Sequence, residues 1–279
     1  MTHAGTLTIG EADDGDVAAM VDWAAQEGWN PGHADAACFR AADPGGFLIG
    51  RVDGRRAASI SVVRYGAGYG FLGFYICAPE LRGRGHGWAI WQAGMARLAG
   101  RVVGLDGVLA QQDNYRRAGF ALACRNIRHA GHVAVAPPGD PAIRPAEFAT
   151  LSAFDTRMFG APRPEFLRAW LAAPGHVALA RIDGGDLRGY AVARPCRAGT
   201  KIAPLFARDP ATADALFRAL AARAAGPVIL DLPEPNRDAL ALARRYGLQP
   251  VFETARMYRG QPPALDLDAI YGVTSFELG

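Results

Sequence analysis

The chain repeats itself. Gly50-Arg51-Val52-Asp53-Gly54 returns as Ala180-Arg181-Ile182-Asp183-Gly184, and Leu105-Asp106 returns as Leu230-Asp231. Arg116-Arg117-Ala118-Gly119-Phe120 returns as Arg244-Arg245-Tyr246-Gly247-Leu248. The three matches keep their order and lie at offsets of 130, 125 and 128 residues in a chain of 279. One match of this kind is noise, but three in order at nearly one offset point to a duplicated domain, so the chain is restricted to two copies of one plan. Ala136-Pro137-Pro138-Gly139-Asp140-Pro141 is a proline-rich break. The halves are therefore expected at residues 1–136 and 141–279.

Each half reads as mixed α/β. In the first, Leu7 to Ile9 is a short strand, and Asp16 is placed to cap a helix whose apolar face is Val17, Met20, Val21 and Ala24. Phe47 to Val52 and Ala57 to Arg64 flank Asp53-Gly54, a hairpin signal. Phe71 to Cys77 and Val102 to Val108 are strands. Between them Trp88, Trp91, Met95 and Leu98 fall at helical spacing, which predicts a helix with both tryptophans in the core. A very short helix follows through Tyr115, then a turn at Gly119. In the second half helices are expected at 146–158, 164–172, 211–224 and 236–246, and strands at 176–182, 187–195, 201–206 and 228–232. A hairpin followed by helix and strand in both halves makes a mixed α/β (α+β) fold, with central mixed sheets flanked by helices.

Composition narrows the function classes. Hydrophobic residues make up 50% and charged residues 20%, enough to bury a core. The formal charge is only +3, and no run of five like charges exists, so no nucleic-acid partner is expected. Lys201 is the single lysine. The longest uncharged stretch, Tyr65 to Pro79, is short and rich in glycine, so no membrane span is expected either. The N-terminus has no basic-then-apolar leader pattern. The four cysteines are scattered without a CxxC pair, which argues against a metal site or a disulfide scaffold and for a cytoplasmic protein.

Chemistry concentrates in one loop. A strand ending Ile76-Cys77-Ala78 runs into Arg82-Gly83-Arg84-Gly85-His86-Gly87 and then into the helix begun by Trp88. Alternate glycines let the backbone turn with positive φ and approach a ligand closely. Free N–H groups converge at the helix N-terminus, where the dipole favours an anion. Two arginines add charge. The spacing is GxGxG, which is neither the dinucleotide fingerprint nor a Walker loop; an exposed basic loop is the alternative reading.

The loop fits the R/Q-x-x-G-x-G/A signature of the GNAT N-acetyltransferase superfamily. Ala78-Pro79-Glu80-Leu81 resembles that family's approach to the loop, and Tyr115-Arg116-Arg117-Ala118-Gly119-Phe120 resembles its Tyr-x-x-x-Gly-Phe motif. The segment between Val108 and Tyr115 is about a helical turn shorter than is usual there. The whole chain is similar to a tandem-GNAT subgroup, for which Arg256-Met257-Tyr258 and the tail Tyr271 to Gly279 also speak.

The resemblance implies an acetyl-CoA-dependent acyltransferase with a small-molecule amine as acceptor. It implies that the backbone from Arg82 to Trp88 holds the coenzyme A pyrophosphate. Ile76, Cys77 and Ala78 would meet the pantetheine arm, and the amides near Cys77 and Ala78 would face the oxyanion. Tyr115 matches the general acid. For the base, Asp106, Glu80 and Asp113 lie near in sequence, with a water chain as another option. In the tail, Thr274, Phe276 and Leu278 alternate like a docked strand, which would let Glu277 or the terminal carboxylate reach the cleft. Trp29 and Asn30, after the first helix, and Lys201 are candidate acceptor contacts. At the repeat offset the second half has Pro210-Ala211-Thr212-Ala213 where the first has glycines, so a single coenzyme site per chain is expected. A non-catalytic acyl-CoA-binding regulatory or sensor module is the alternative function. Oligomeric state is left open.

Overall fold

The computed structural model describes residues 6–279. The first half runs β1 (Leu7–Glu11), α1 (Asp14–Gln26), α2 (Asp35–Ala42), β2 (Phe47–Val52), β3 (Arg55–Tyr65), β4 (Tyr69–Cys77), α3 (His86–Arg97), β5 (Val102–Val108), α4 (Gln112–Arg117) and β6 (Ala121–Gly131). The second runs β7 (Ile143–Arg144), α5 (Phe148–Phe159), α6 (Pro164–Ala172), β8 (Val177–Asp183), β9 (Asp186–Pro195), β10 (Thr200–Ala207), α7 (Pro210–Ala221), β11 (Val228–Pro233), α8 (Arg237–Arg245), β12 (Gln249–Arg259) and β13 (Ile270–Gly272).

Periodicity and turn chemistry account for most of these elements. The apolar stripe of α1 is buried as expected, but its N-cap is Asp13, in a capping box with Asp16 at the third helical position. Asp16 is buried and takes Arg51 and Arg56 at 2.8 and 2.7 Å. The helix α3 lies tightly on β3: a Cβ on Gly94 would come within 2.9 Å of Val62.

Two separate sheets were expected. Instead the strands form a single sheet in the order β1-β2-β3-β4-β5-β12-β6-β11-β10-β9-β8-β7, with β13 paired to β10. One strand of each half has crossed over. From the second half, β12 pairs with β5 through Thr254 to Arg259, and from the first half β6 pairs with β11 through Asn126 to Gly131. The strands β12 and β6 then pair with each other. The proline-rich break is a break in sequence, while hydrogen bonding runs across it.

Both halves contain a parallel pair that opens into a wedge. The strands β4 and β5 pair only from Tyr69 to Leu72 against Val102 to Leu105. Past that point β4 carries a bulge: Ser61 faces Gly73, but Ser59 faces Ile76, and Phe74 has a φ of 45°. A bulge adds a residue to one strand and bends it, which parts β4 from β5. In the second half β10 and β11 pair only at Thr200 and Lys201. There β13 fills the opening, pairing with β10 at Leu205 and Phe206. The wedge of the first half stays open.

Candidate active site

The open wedge is the floor of a cleft of about 460 Å³. Gly73 to Cys77 of β4 and Asp106 and Val108 of β5 line its two sides. Arg82, Gly83, Gly85, Gly87 and Trp88 of the glycine loop and the start of α3 line it, as do Trp29, Tyr115, Phe252, Phe276 and Glu277.

In the loop Gly83 and Gly85 have φ of 77° and 84°, and a Cβ on either would meet open space. Gly85 is the N-cap of α3 and supplies no side-chain acceptor, so the first amides of the helix keep their donors for an anion. The corresponding end of α7 is different. Asp209 caps it, accepting from the Thr212 amide at 2.8 Å, and Pro210 takes the first position. That carboxylate occupies the place an anion would take.

The expected loop residues separate into two groups. Ile76, Cys77, Arg82, Gly83, Gly85, Gly87 and Trp88 line the cleft; Ala78, Arg84 and His86 do not. The Ala78 amide donates to Ala57 O at 2.9 Å, so it is unavailable to an oxyanion. Arg82 is braced by Glu27 at 2.6 Å and by Cys77 O at 3.0 Å. Trp91 is core as expected, but Trp88 is 58% exposed at the mouth of the cleft. Burial raises the Cys77 thiol, and no histidine lines the cleft, which leaves it a small strand residue.

Tyr115 is buried and stacks on Trp91 with ring centroids 5.7 Å apart. Gly107 makes room for it, since a Cβ there would come within 2.2 Å of the ring. Burial, with a smaller contribution from Tyr75, raises its pKa, so the phenol keeps its proton at neutral pH.

The acidic candidates fare differently. Asp106 lines the cleft, but both of its oxygens are taken. Arg256 of β12 reaches them at 2.6 and 3.0 Å, and Asn126 of β6 donates at 2.8 Å. Through these bonds the Asp106 carboxylate ties the crossed strands to β5. Asp113 is exposed and paired with Arg116 at 2.8 Å, and neither it nor Glu80 lines the cleft.

Glu277 does line the cleft and is 3% exposed. Among the described residues it forms no ion pair within 4.0 Å. Burial raises its pKa, and Lys201, Arg194 and Arg128 draw it only partly back. The tail that carries it is packed as a turn after β13 rather than as the expected strand through Thr274 and Leu278. It passes directly over the bulge, where a Cβ on Gly73 would lie 2.1 Å from Glu277 O. Gly279 packs against Phe71 and Phe159 and does not line the cleft.

Of the acceptor candidates, Trp29 lines the cleft. Asn30 does not: its side chain donates to Ala198 O and accepts from Ala198 N, both at 2.9 Å, which pins the α1–α2 loop to the β9–β10 turn. Lys201 is buried and bound to Asp231 at 3.2 Å, away from the cleft lining. Sequence reasoning missed Phe252 and Thr254 as cleft residues because β12 was not recognised as a strand that crosses into the first half, and it gave Phe276 to a docked tail strand without placing its side chain in the cleft.

Comparison with known proteins places this geometry. Residues 16–124 match the model described as Acetyltransferase (GNAT) family, and residues 151–272 match the one described as Acetyltransferase (GNAT) domain. A holothin acyltransferase of Pseudoalteromonas sp. (strain SANK 73390) is 32% identical over 263 residues, covering 92% of this chain and 90% of that protein. A putative acetyltransferase of Pyrococcus horikoshii shares the fold with a TM-score of 0.84 at 19% identity, over 98% of this chain and 96% of that one. A tandem GNAT protein from the clavulanic acid biosynthesis pathway does so with a TM-score of 0.64 at 15% identity, over 92% of this chain and 100% of that one. No helix among the described residues is long and apolar enough to cross a membrane, and no cluster of metal-binding side chains is found among them.

Proposed function

Because the chain belongs to the GNAT acetyltransferase family and is an acyltransferase of tandem-domain form, we propose that it transfers an acetyl group directly from acetyl-CoA to a small primary amine. The observation that carries this reading is a single cleft running from the uncapped start of α3, along the parted edge of β4, to Tyr115 and Glu277. The amides at the start of α3 hold the pyrophosphate, and the edge of β4 freed by the bulge pairs with the pantetheine arm. A cleft of about 460 Å³ that must also admit that arm leaves room for a low-molecular-weight acceptor.

Three chemical tasks fall to this chain's residues. Glu277 takes a proton from the incoming ammonium, which must be neutral to attack. Backbone N–H groups of the bulged stretch Phe74 to Ile76 stabilise the oxyanion. Tyr115 gives its proton to the departing thiolate as the carbon–sulfur bond breaks, and it is reprotonated by the second proton that the attacking nitrogen loses in becoming the amide. Asn30, Lys201 and Asp106 act at a distance, by holding the elements that carry these groups.

The test is thiol release from acetyl-CoA in the presence of a panel of primary amines. Amine-dependent release that requires Tyr115 and Glu277 supports the reading. Coenzyme binding without release for any amine would instead favour an acyl-CoA-binding regulatory module.

A further inference from the structure

Three aromatic residues from three distant parts of the chain line the cleft: Trp29 from the α1–α2 loop, Phe252 from β12 and Phe276 from the tail. One buried side chain outside the cleft lining touches all three residues. Arg128 of β6 donates from Nη1 to Trp29 O at 2.7 Å. Its guanidinium carbon stands 5.5 Å from the Phe252 ring centroid and 5.0 Å from that of Phe276. Those two rings are 6.2 Å apart and inclined by 35°. Arg128 is itself fixed from the far side, because Nε and Nη2 donate to the two oxygens of Asp231 on β11 at 2.7 and 2.8 Å. Lys201 holds one of those oxygens as well.

This arrangement uses what a guanidinium has and an ammonium lacks. A planar fork can hold a carboxylate with two parallel bonds, a carbonyl with a third, and present its flat faces to aromatic rings. We infer that Arg128 is a positioning residue that builds the acceptor site of the cleft, and that the box it builds selects an amine borne on a flat unsaturated ring. The inference rests on the proposed amine acetylation for the identity of the nucleophile, but ring preference is a property of the walls alone. Aromatic walls reward a flat ring by offset-stacked or edge-to-face contact and give a saturated ring of the same size no such contact. Any attraction between an ammonium and the rings is shared by both kinds of amine and cancels in the comparison.

Benzylamine and cyclohexylmethylamine form a matched pair, each a primary amine one methylene from a six-membered ring. Both are titrated calorimetrically into the full chain, with and without saturating coenzyme A. Benzylamine is expected to bind about three- to ten-fold more tightly. In Arg128→Lys, which keeps the charge but loses the fork, and in Phe252→Leu, that preference is expected to collapse to within two-fold. Affinity for coenzyme A should stay unchanged in both. With any acetylated flat-ring amine, the variants should raise acceptor KM about ten-fold and leave kcat within two-fold. Equal binding of the two amines, no binding of either, or an undiminished preference in Arg128→Lys overturns the inference. Phe252→Leu, which leaves the buried ion pair intact, supplies the answer if Arg128→Lys does not fold. A chain that binds no coenzyme A defeats the proposed activity and leaves the ring preference to be read on its own.

Discussion

Tyr115 and Glu277, which both line the cleft, drew notice in the sequence for different reasons: the first lies in a local motif, the second in a tail with unusual patterning. Their environments make opposite demands. Tyr115 is expected to be protonated throughout the working range, so Tyr115→Phe should lower kcat about 10²-fold while leaving acetyl-CoA affinity unchanged, as steady-state kinetics and calorimetry would show. Burial raises the Glu277 pKa, and a base must be ionised to act. The rate should therefore rise with pH through a limb lying above the ordinary carboxylate range. Glu277→Gln should abolish that limb along with most of the activity. The stability sign is the reverse: a carboxyl raised in the folded state binds its proton more tightly there. Wild type should thus lose stability relative to Glu277→Gln as pH rises from the unfolded to the folded pKa. Asn30 and Lys201 show where residue-scale reading fails. A polar residue in a loop or a lone lysine in a strand looks like a ligand contact until its partner is known. The partners, Ala198 and Asp231, lie 168 and 30 positions away in the chain.

Among the elements, those with local signals were readable: amphipathic stripes, the Asp53-Gly54 turn and the glycine loop. The strands β6 and β12 were not, because Ala121 to Gly131 and Gln249 to Arg259 mix arginines, apolar and small residues without clean alternation. Their place in the sheet is set by cross-strand pairing, such as Asp106 with Arg256 and Arg128 with Asp231. The bulge in β4 was equally hidden, since nothing local marks Phe74 for a positive φ. Two elements can be tested directly. Replacing Gly85, with its φ of 84°, by valine should strain the N-cap of α3 and abolish detectable acetyl-CoA binding in calorimetry. Replacing Gly73 by alanine should displace the tail from the bulge, and limited proteolysis should then cleave after Phe276 in a variant that still melts cooperatively.

For the whole molecule, duplication was visible in the repeats and the crossing of β6 and β12 was not. That crossing makes the halves interdependent: β5 finds its neighbour in β12, and β11 finds its neighbour in β6. Asp231 sits on the seam. Burial alone would raise its carboxyl, but Arg128 and Lys201 more than offset this and hold it well below the usual range. It is therefore a source of stability above the unfolded pKa that is lost on acidification. Asp231→Asn should cost about 3–5 kcal/mol in chemical denaturation at neutral pH, because it leaves two buried cations short of a partner. Duplication has also produced an asymmetry. The first half keeps an open wedge and an uncapped helix, whereas the second has β13 in its wedge and Asp209 at the corresponding helix end. That asymmetry is tested most directly by calorimetric titration of acetyl-CoA into the full chain. One site per chain, lost in Gly85→Val, is the expected result; two sites, or one that survives that substitution, would contradict the assignment of the cleft.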